Sequence, residues 1–381
     1  MGGTWSGHWM TAERIYRIKE ALDDKLIEAA INAKVVTPDN YVVRDILPST
    51  DFGSTYYDHE EWETAQNIGG STWVTAVNVS LDGDKLIGFY GALGPSTQNV
   101  VAIRFKEGDA VRDVWQVQAS RVGLTTGSTG TAFEEGFLAI VGEDGQIIYA
   151  QDANITIDFY GTASANADDT TVLLGRVIER PGKNIMGSTD KTRTRAGLLP
   201  WFMVTPEMIE QKRRALDAEL IRRAREQGII ESDRYVIRDI LPSTDFGTSY
   251  YASEQWVSAV SLTASSWKTI ISVDLDSDKL IGFYGYLGPD DNVTALRFKV
   301  GGALVKDIWM LEQTRMGELS TVTSASNEFQ RAHFGLARTP IIYNGEDSLV
   351  VEAYGADGAT GSNFKGILLG RVIEPLGRVV S

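Results

Sequence analysis

Apolar and polar residues along this chain follow two different periods. Ile15, Ile18, Leu22, Leu26, Ala29 and Ala30 recur every three or four residues, which lays them on one face of a helix. Thr11 stands ahead of them as an N-cap, with Glu13 in the first turn. Met208, Ala215, Leu216, Leu220 and Ala224 repeat the pattern behind Thr205-Pro206-Glu207. Their opposite face carries Arg213, Arg214, Arg222, Arg223 and Arg225, and Gly228 closes the run. Both stretches predict amphipathic helices of roughly 18–22 residues.

After each helix the period changes to that of strands. The first set is predicted at 74–80, 85–91, 100–106, 111–119, 136–141, 147–150, 155–160 and 171–179. The second set is predicted at 269–275, 280–286, 293–300, 304–313, 329–336, 340–343, 348–354 and 366–374. Asp82-Gly83 predicts a hairpin between the first two strands, and Glu107-Gly108-Asp109 another. Antiparallel sheets of this kind each bury one face, so a two-sheet sandwich is expected, with eight strands favouring a jelly roll.

The two sets are copies of one unit. YVVRDILPSTDFG from Tyr41 returns as YVIRDILPSTDFG from Tyr235, differing only at Val43 against Ile237. The same spacing of 194 relates Trp62 to Trp256, Trp73 to Trp267, Trp115 to Trp309, and KLIGFYGALGP from Lys85 to KLIGFYGYLGP from Lys279. LLGRVIE from Leu173 returns from Leu368, one residue later than that spacing. The fold class expected is therefore mainly β: two tandem jelly-roll-like sandwiches, each preceded by an amphipathic α-helix. The boundaries expected are 1–182 for the first repeat, 183–202 for a solvated linker and 203–381 for the second repeat.

Composition narrows the chemistry. With 36 Lys plus Arg against 51 Asp plus Glu, the net charge is −15, which disfavours broad nucleic-acid binding. No cysteine is present, so disulfides, thiolate metal sites and thiol nucleophiles are excluded. The three histidines, His8, His59 and His333, do not recur at the repeat spacing. No stretch is apolar enough to cross a bilayer as a helix, and MGGTWSGHWMTAER lacks a secretory apolar core, so synthesis in a host cytoplasm is expected.

Within the repeated motif, Arg44, Asp45 and Asp51, with Arg238, Asp239 and Asp245, are read as structural. Asp51 and Asp245 are expected to bond the turn of Pro-Ser-Thr-Asp, so Asp51→Ala should cost about 1–2 kcal/mol. Asp51-Phe52-Gly53 lacks every companion motif of a kinase. Asp274, Asp276 and Asp278 invite calcium, the only cofactor left open, but the glycine and glutamate of an EF-hand loop are missing. Trp62, Trp73 and Trp115 and their counterparts suit either a packed core or an exposed carbohydrate platform. Trp5, Trp9 and Trp201 lie just before the helices and are candidate interface residues. So are Lys191, Arg193 and Arg195, a basic strap that would meet acidic surface on another copy. No nucleophile elbow, zinc motif or phosphate loop occurs, so catalytic, cofactor-binding and metal-site residues are all expected to be none.

Two helix-plus-sandwich units in tandem resemble viral capsid and virion structural proteins that carry two jelly rolls in one polypeptide. The resemblance rests on the duplicated architecture, which covers almost the whole chain. It implies a virion protein, as shell, decoration or vertex component, that works by assembling with copies of itself and other virion proteins and catalyses nothing. A carbohydrate- or receptor-binding module of a viral fibre is the alternative, followed by a glycosidase-type enzyme with two carboxylates in a cleft. The helices are expected to leave part of their apolar stripes uncovered for a partner.

Overall fold

A computed structural model of the chain describes residues 4–94, 100–120, 137–161, 166–167, 171–186, 193–230, 234–288, 292–314, 333–357 and 359–376. Contacts divide the described residues into two units, one within 4–183 with 193–194, the other within 184–186, 195–314 and 333–376.

In the first unit, β1 (Thr4–Ser6) and a 3-10 turn at Gly7–Trp9 lead into α1 (Ala12–Asn32). There follow β2 (Tyr41–Asp45), the short α2 (Pro48–Phe52), β3 (Ile68–Gly69), β4 (Trp73–Ser80), β5 (Lys85–Gly94), β6 (Val100–Glu107) and β7 (Ala110–Trp115). β8 (Phe137–Val141), β9 (Ile147–Tyr149), β10 (Asn154–Gly161), β11 (Asn166–Ala167) and β12 (Val172–Glu179) complete it, and β13 (Arg193–Arg195) comes next. The second unit repeats the series as β14 (Leu198–Pro200), a 3-10 turn at Trp201–Met203, α3 (Pro206–Glu226), β15 (Tyr235–Asp239), α4 (Pro242–Phe246) and β16 (Val257–Ser261). It continues through β17 (Trp267–Asp274), β18 (Leu280–Gly288), β19 (Val293–Val300), β20 (Leu304–Met310), β21 (His333–Tyr343), β22 (Ser348–Gly355), β23 (Asn363–Lys365) and β24 (Ile367–Pro375).

Both units have the same strand order. The large sheets run β8-β5-β12-β2 and β21-β18-β24-β15, and the four-stranded sheets run β4-β10-β6-β7 and β17-β22-β19-β20. Counting β2, β4, β5, β6, β7, β8, β10 and β12 as first to eighth gives 1-8-3-6 and 2-7-4-5, the order of a jelly roll. The expectation of two tandem β-sandwiches with leading helices is correct.

The helices form where the apolar period placed them. The Thr11 hydroxyl accepts from the Arg14 N–H at 3.3 Å, and that of Thr205 from the Met208 N–H at 3.4 Å. α1 lies on β5, β12 and β2, on the outer face of the large sheet. A side chain at Gly88 would come 2.7 Å from Leu22 Cδ1, and one at Gly282 2.5 Å from Leu216 Cδ1, so glycine permits the helix to settle on the sheet. Ile15, Ile18, Leu22, Leu26 and Ala30 are buried there. The uncovered stripe expected on the first helix is therefore absent, because the large sheet covers it. In α3 the covered set shrinks to Leu216, Leu220 and Ala224, and Ala215 is exposed.

Two further expectations need correction. Asp82-Gly83 does not make a hairpin: β4 and β5 belong to different sheets, so this turn carries the chain across the sandwich. β5 is buried along nearly its whole length, with the helix on one face and the opposite sheet on the other, and its neighbours are β8, β9 and β12. The turn at Glu107-Gly108-Asp109 does join paired strands, with Gly108 at φ +57°. The stretch 183–202 is not a plain solvated linker either. β13 pairs with β2, β14 pairs with β21, and Ala196, Leu198, Leu199 and Phe202 are buried.

Candidate functional site: paired networks of buried charge

Side chains alternate across a strand, so Arg44 and Asp45 leave β2 on opposite faces. Arg44 points towards α2. Its Nε and Nη2 donate to Glu179 at 2.9 and 2.8 Å, and its Nη1 and Nη2 to Asp51 at 2.7 and 2.9 Å. Nη1 also donates to the Asp45 carbonyl at 3.1 Å, so all five guanidinium protons have acceptors. Asp51 in addition accepts the Leu47 N–H at 2.8 Å and the Lys85 ammonium at 3.2 Å. Strand register brings these groups together: Glu179 on β12 stands opposite both Val42 and Lys85.

Asp45 points the other way, towards α1. It lies opposite Arg176 in the β2–β12 ladder and is bonded by that guanidinium and by Lys19 Nζ at 3.1 Å. Arg176 Nε donates to Asp23 at 2.9 Å. Lys19 and Asp23 are one helical turn apart, so a single face of α1 presents both a cation and an anion to the sheet.

The second unit rebuilds the same network. Arg238 bonds Asp245 at 2.7 and 2.8 Å and Glu374 at 2.8 Å, with Lys279 on Asp245 at 3.1 Å. Arg371 bonds Asp217 at 2.9 Å and also Asp239, while Arg213 approaches Asp239 at 3.6 Å. The copies differ in solvation. The Asp45 side chain is 4% exposed and that of Asp239 72%.

Electrostatics follow from this burial. Burial alone would raise the Asp51 carboxyl, but Arg44, Lys85 and the Leu47 N–H together pull it down to about 2. Burial works against the Arg44 charge, and Asp51 and Glu179 more than offset it, so its pKa rises. Asp245 also shifts down, against burial, through Arg238 and Lys279. Glu60 accepts the Ser49 and Thr50 N–H groups at 3.1 and 3.2 Å, as Glu254 does from Ser243 and Thr244. Burial raises Glu60, whereas at the exposed Glu254 the bonds from Thr244 and Ser243 outweigh desolvation and lower it.

Two consequences follow. Asp51 is more than a turn cap, because removing it strands Arg44 in the interior. The cost of Asp51→Ala rises from the 1–2 kcal/mol of a local cap to about 3–5 kcal/mol. The pH dependence has a definite sign. A carboxyl lowered in the folded state contributes stability above its unfolded pKa of about 3.9 and loses it as pH falls through the folded value. Stability of the first unit should therefore fall between about pH 4 and about pH 2, and Asp51→Asn should flatten that part of the curve in acid-unfolding measurements. An unchanged curve would mean that Asp51 is not charged in the folded interior.

The other candidate residues are dispersed. Trp62 is buried edge-on against Phe52 and Tyr57, and Trp256 packs in the same way on Phe246 and Tyr251. Trp115 and Trp309 are fully buried. Trp73 and Trp267 lie under Arg104 and Arg297 at 4.4 and 4.2 Å. Trp62, Trp115 and Trp309 are thus core residues, while Trp73, Trp256 and Trp267 are half-buried against their neighbours. Trp5 and Trp9 are exposed, whereas Trp201 is half-buried with its ring edge-on to Phe202. Arg193 pairs with Asp39 of the same unit rather than waiting for another copy, and the Arg195 carbonyl accepts the Thr339 hydroxyl at 3.3 Å. Lys191 lies outside the described residues. Asp274 ends β17, and the Asp276 backbone carbonyl accepts the Lys279 N–H in the turn that follows. Among the described residues no group of three or more acids or histidines is placed to hold a metal, and no helix is long and apolar enough to cross a membrane.

Lys19, Asp23, Lys85, Arg176 and Glu179 were not singled out from the sequence. Their recurrence as Arg213, Asp217, Lys279, Arg371 and Glu374 is the available signal, since charge repeated on the apolar face of a helix or inside an apolar strand needs a partner.

No protein-family model matches the sequence, and no curated protein matches it. Among solved structures, similarity is found to a β-porphyranase of glycoside hydrolase family 86 from Bacteroides plebeius, at 8% identity and TM-score 0.17. That match covers 82% of this chain, which spans 38% of the length of the enzyme. A tandem pair of CBM22 domains from Paenibacillus barcinonensis matches at 8% identity and TM-score 0.14, covering 84% of this chain and 81% of that one. An oxalate decarboxylase mutant from Bacillus subtilis matches at 11% identity and TM-score 0.12, covering 87% and 77%. At these TM-scores the likenesses carry no argument about function.

Proposed function

We propose that the protein is a virion structural component that acts by assembling with copies of itself and catalyses no reaction. The observation that carries this reading is the duplication itself. Two jelly rolls of identical strand order stand in one chain, and within each the buried charged residues of the repeated motif are bonded to their own unit. They tie helix to sheet and α2 or α4 to the sandwich, which is the work of a rigid building block. On this reading its partners are its own copies and other virion proteins, it needs no cofactor, and its destination is the virion.

Light scattering on the purified full chain across a concentration series, followed by negative-stain imaging, tests the proposal. Rings, shells or other defined multimers are expected. A chain that stays monomeric at high concentration, or whose tryptophan fluorescence responds saturably to a polysaccharide, contradicts it.

A further inference from the structure

The turn between β21 and β22 carries the one Asn-Gly pair in the sequence, Asn344-Gly345. The Asp347 N–H donates to the Asn344 carbonyl at 3.1 Å and Glu346 sits at φ +70°, so Gly345 and Glu346 are the central residues of a tight turn. The first repeat makes the same turn from other residues. There the Ala153 N–H donates to the Ala150 carbonyl at 3.3 Å, and Asp152, at φ +62°, takes the place of Glu346. Ala150 and Gln151 stand where the second repeat has Asn344 and Gly345.

A contact between two turns explains the glycine. In each repeat this turn lies against the one that carries the chain from the small sheet to the large one. In the first, the glycine is on the crossing turn, and a Cβ on Gly83 would come 3.1 Å from Asp152 Oδ1. In the second, Ser277 holds that position and the glycine is on the opposite side. A Cβ on Gly345 would come 2.5 Å from the Ser277 carbonyl oxygen. The approach is fixed by two backbone bonds, Glu346 N–H to the Leu275 carbonyl at 3.1 Å and Leu275 N–H to the Asp347 carbonyl at 3.0 Å. A side chain at position 345 would force the two turns apart.

The surroundings of Asn344 suit one reaction. The Gly345 N–H makes no hydrogen bond among the described residues, and glycine has no side chain to crowd its nitrogen. Asn344 Oδ1 accepts from Gln227 Nε2 at 3.0 Å, at the end of α3. Asn344 and Gly345 are half-buried and Gln227 is exposed, so water reaches the pair.

We infer that Asn344 is a site of self-modification, at which the side-chain amide becomes an acid through a cyclic imide with Gly345. The Gly345 nitrogen bonds to Asn344 Cγ and closes a five-membered ring. The Cγ–Nδ2 bond breaks, and ammonia leaves with the proton of the Gly345 amide. Negative charge develops on Oδ1 during the attack, where Gln227 already donates, so Gln227 favours the reaction. Water then opens the imide at either carbonyl. Attack at Cγ leaves aspartate, and attack at the backbone carbonyl carbon leaves isoaspartate. Either product puts a carboxylate beside Asp347, whose Oδ2 accepts the Asn344 N–H at 2.8 Å, and near the C-terminal end of α3, where negative charge is unfavourable. Isoaspartate also adds a carbon to the backbone of a turn pressed against Ser277. The change loosens the second unit and spares the first, which has Ala150 at this place.

Peptide mapping by mass spectrometry, with isoaspartyl methyltransferase labelling, on full-length protein held in mildly alkaline buffer tests the inference. Asn344 should convert ahead of every other asparagine and give both acid products. Gln227→Leu alters an exposed residue, so its circular dichroism spectrum should match that of the parent. In that variant Asn344 should convert about three- to tenfold more slowly, the worth of one hydrogen bond. In urea the two chains should react at one rate, because the bond from Gln227 exists only in the fold. An Asn344 that persists in the folded chain while it reacts in urea overturns the inference. So does a folded Gln227→Leu variant that keeps pace with the parent.

Discussion

Replacing Arg44 by methionine should destabilise the first unit by about 3–5 kcal/mol, the usual result of breaking a buried ion pair from one side. Arg44 is 1% exposed, and its five protons satisfy Asp51, Glu179 and the Asp45 carbonyl. Methionine fills part of the volume but leaves two buried carboxylates with Lys85 as the nearest cation on Asp51. Arg238→Met in the second unit is the internal control. The Arg238 side chain is 14% exposed, so water reaches the orphaned carboxylates and the loss should be smaller. Adding Glu179→Gln to Arg44→Met should recover part of the loss, because it removes one of the stranded charges. Urea unfolding midpoints of the four chains decide the matter. A loss below about 1 kcal/mol for Arg44→Met would mean that the pair is solvated and contributes as surface pairs do.

The repeat, the two helices and most strands were legible in the sequence because each rests on short-range information. Thr11 and Thr205 mark helix starts, and the apolar spacing marks the covered face. Asp82-Gly83 has the residues of a hairpin but makes a crossing, because turn chemistry is local, whereas the choice between pairing and crossing to the other sheet is not. What decides it is that β5 must sit between β8 and β12, partners about fifty and ninety residues further along the chain.

The networks show the same division. Arg44 and Asp51 lie seven residues apart, inside one motif, and were singled out together. Glu179 is 135 residues from Arg44, and Asp23 is 153 from Arg176, so their meeting becomes visible only once β12 is placed beside β2 and under α1. Alternation along β2 then fixes which network each neighbour joins. Arg193 illustrates the opposite error. A basic residue in an acidic chain was expected to seek another subunit, but Asp39 of its own unit is within reach.

Trp115→Ala should cost the first unit about 3–5 kcal/mol, the range for deleting a large aromatic from a packed core. Trp115 is fully buried with its ring 4.3 Å from that of Phe105, and its indole N–H donates to Asp113 at 3.2 Å. It closes β7, an edge strand whose Val111 and Val114 are exposed, so this one ring anchors the strand to the core. Trp309 repeats the arrangement on β20, 4.3 Å from Phe298 and 3.1 Å from Asp307. There Asp307 also accepts the Gly197 N–H at 3.0 Å, so loss of the ring disturbs a carboxylate with a second task. Trp309→Ala should therefore cost at least as much as Trp115→Ala. Trp115→Phe keeps an aromatic ring, but it leaves a smaller cavity and frees the Asp113 acceptor, so its cost should fall to about 1–2 kcal/mol. Denaturant unfolding followed by near-ultraviolet circular dichroism reads all three. A loss under about 1 kcal/mol for Trp115→Ala would show that the ladder between β6 and β7 holds the strand without its anchor.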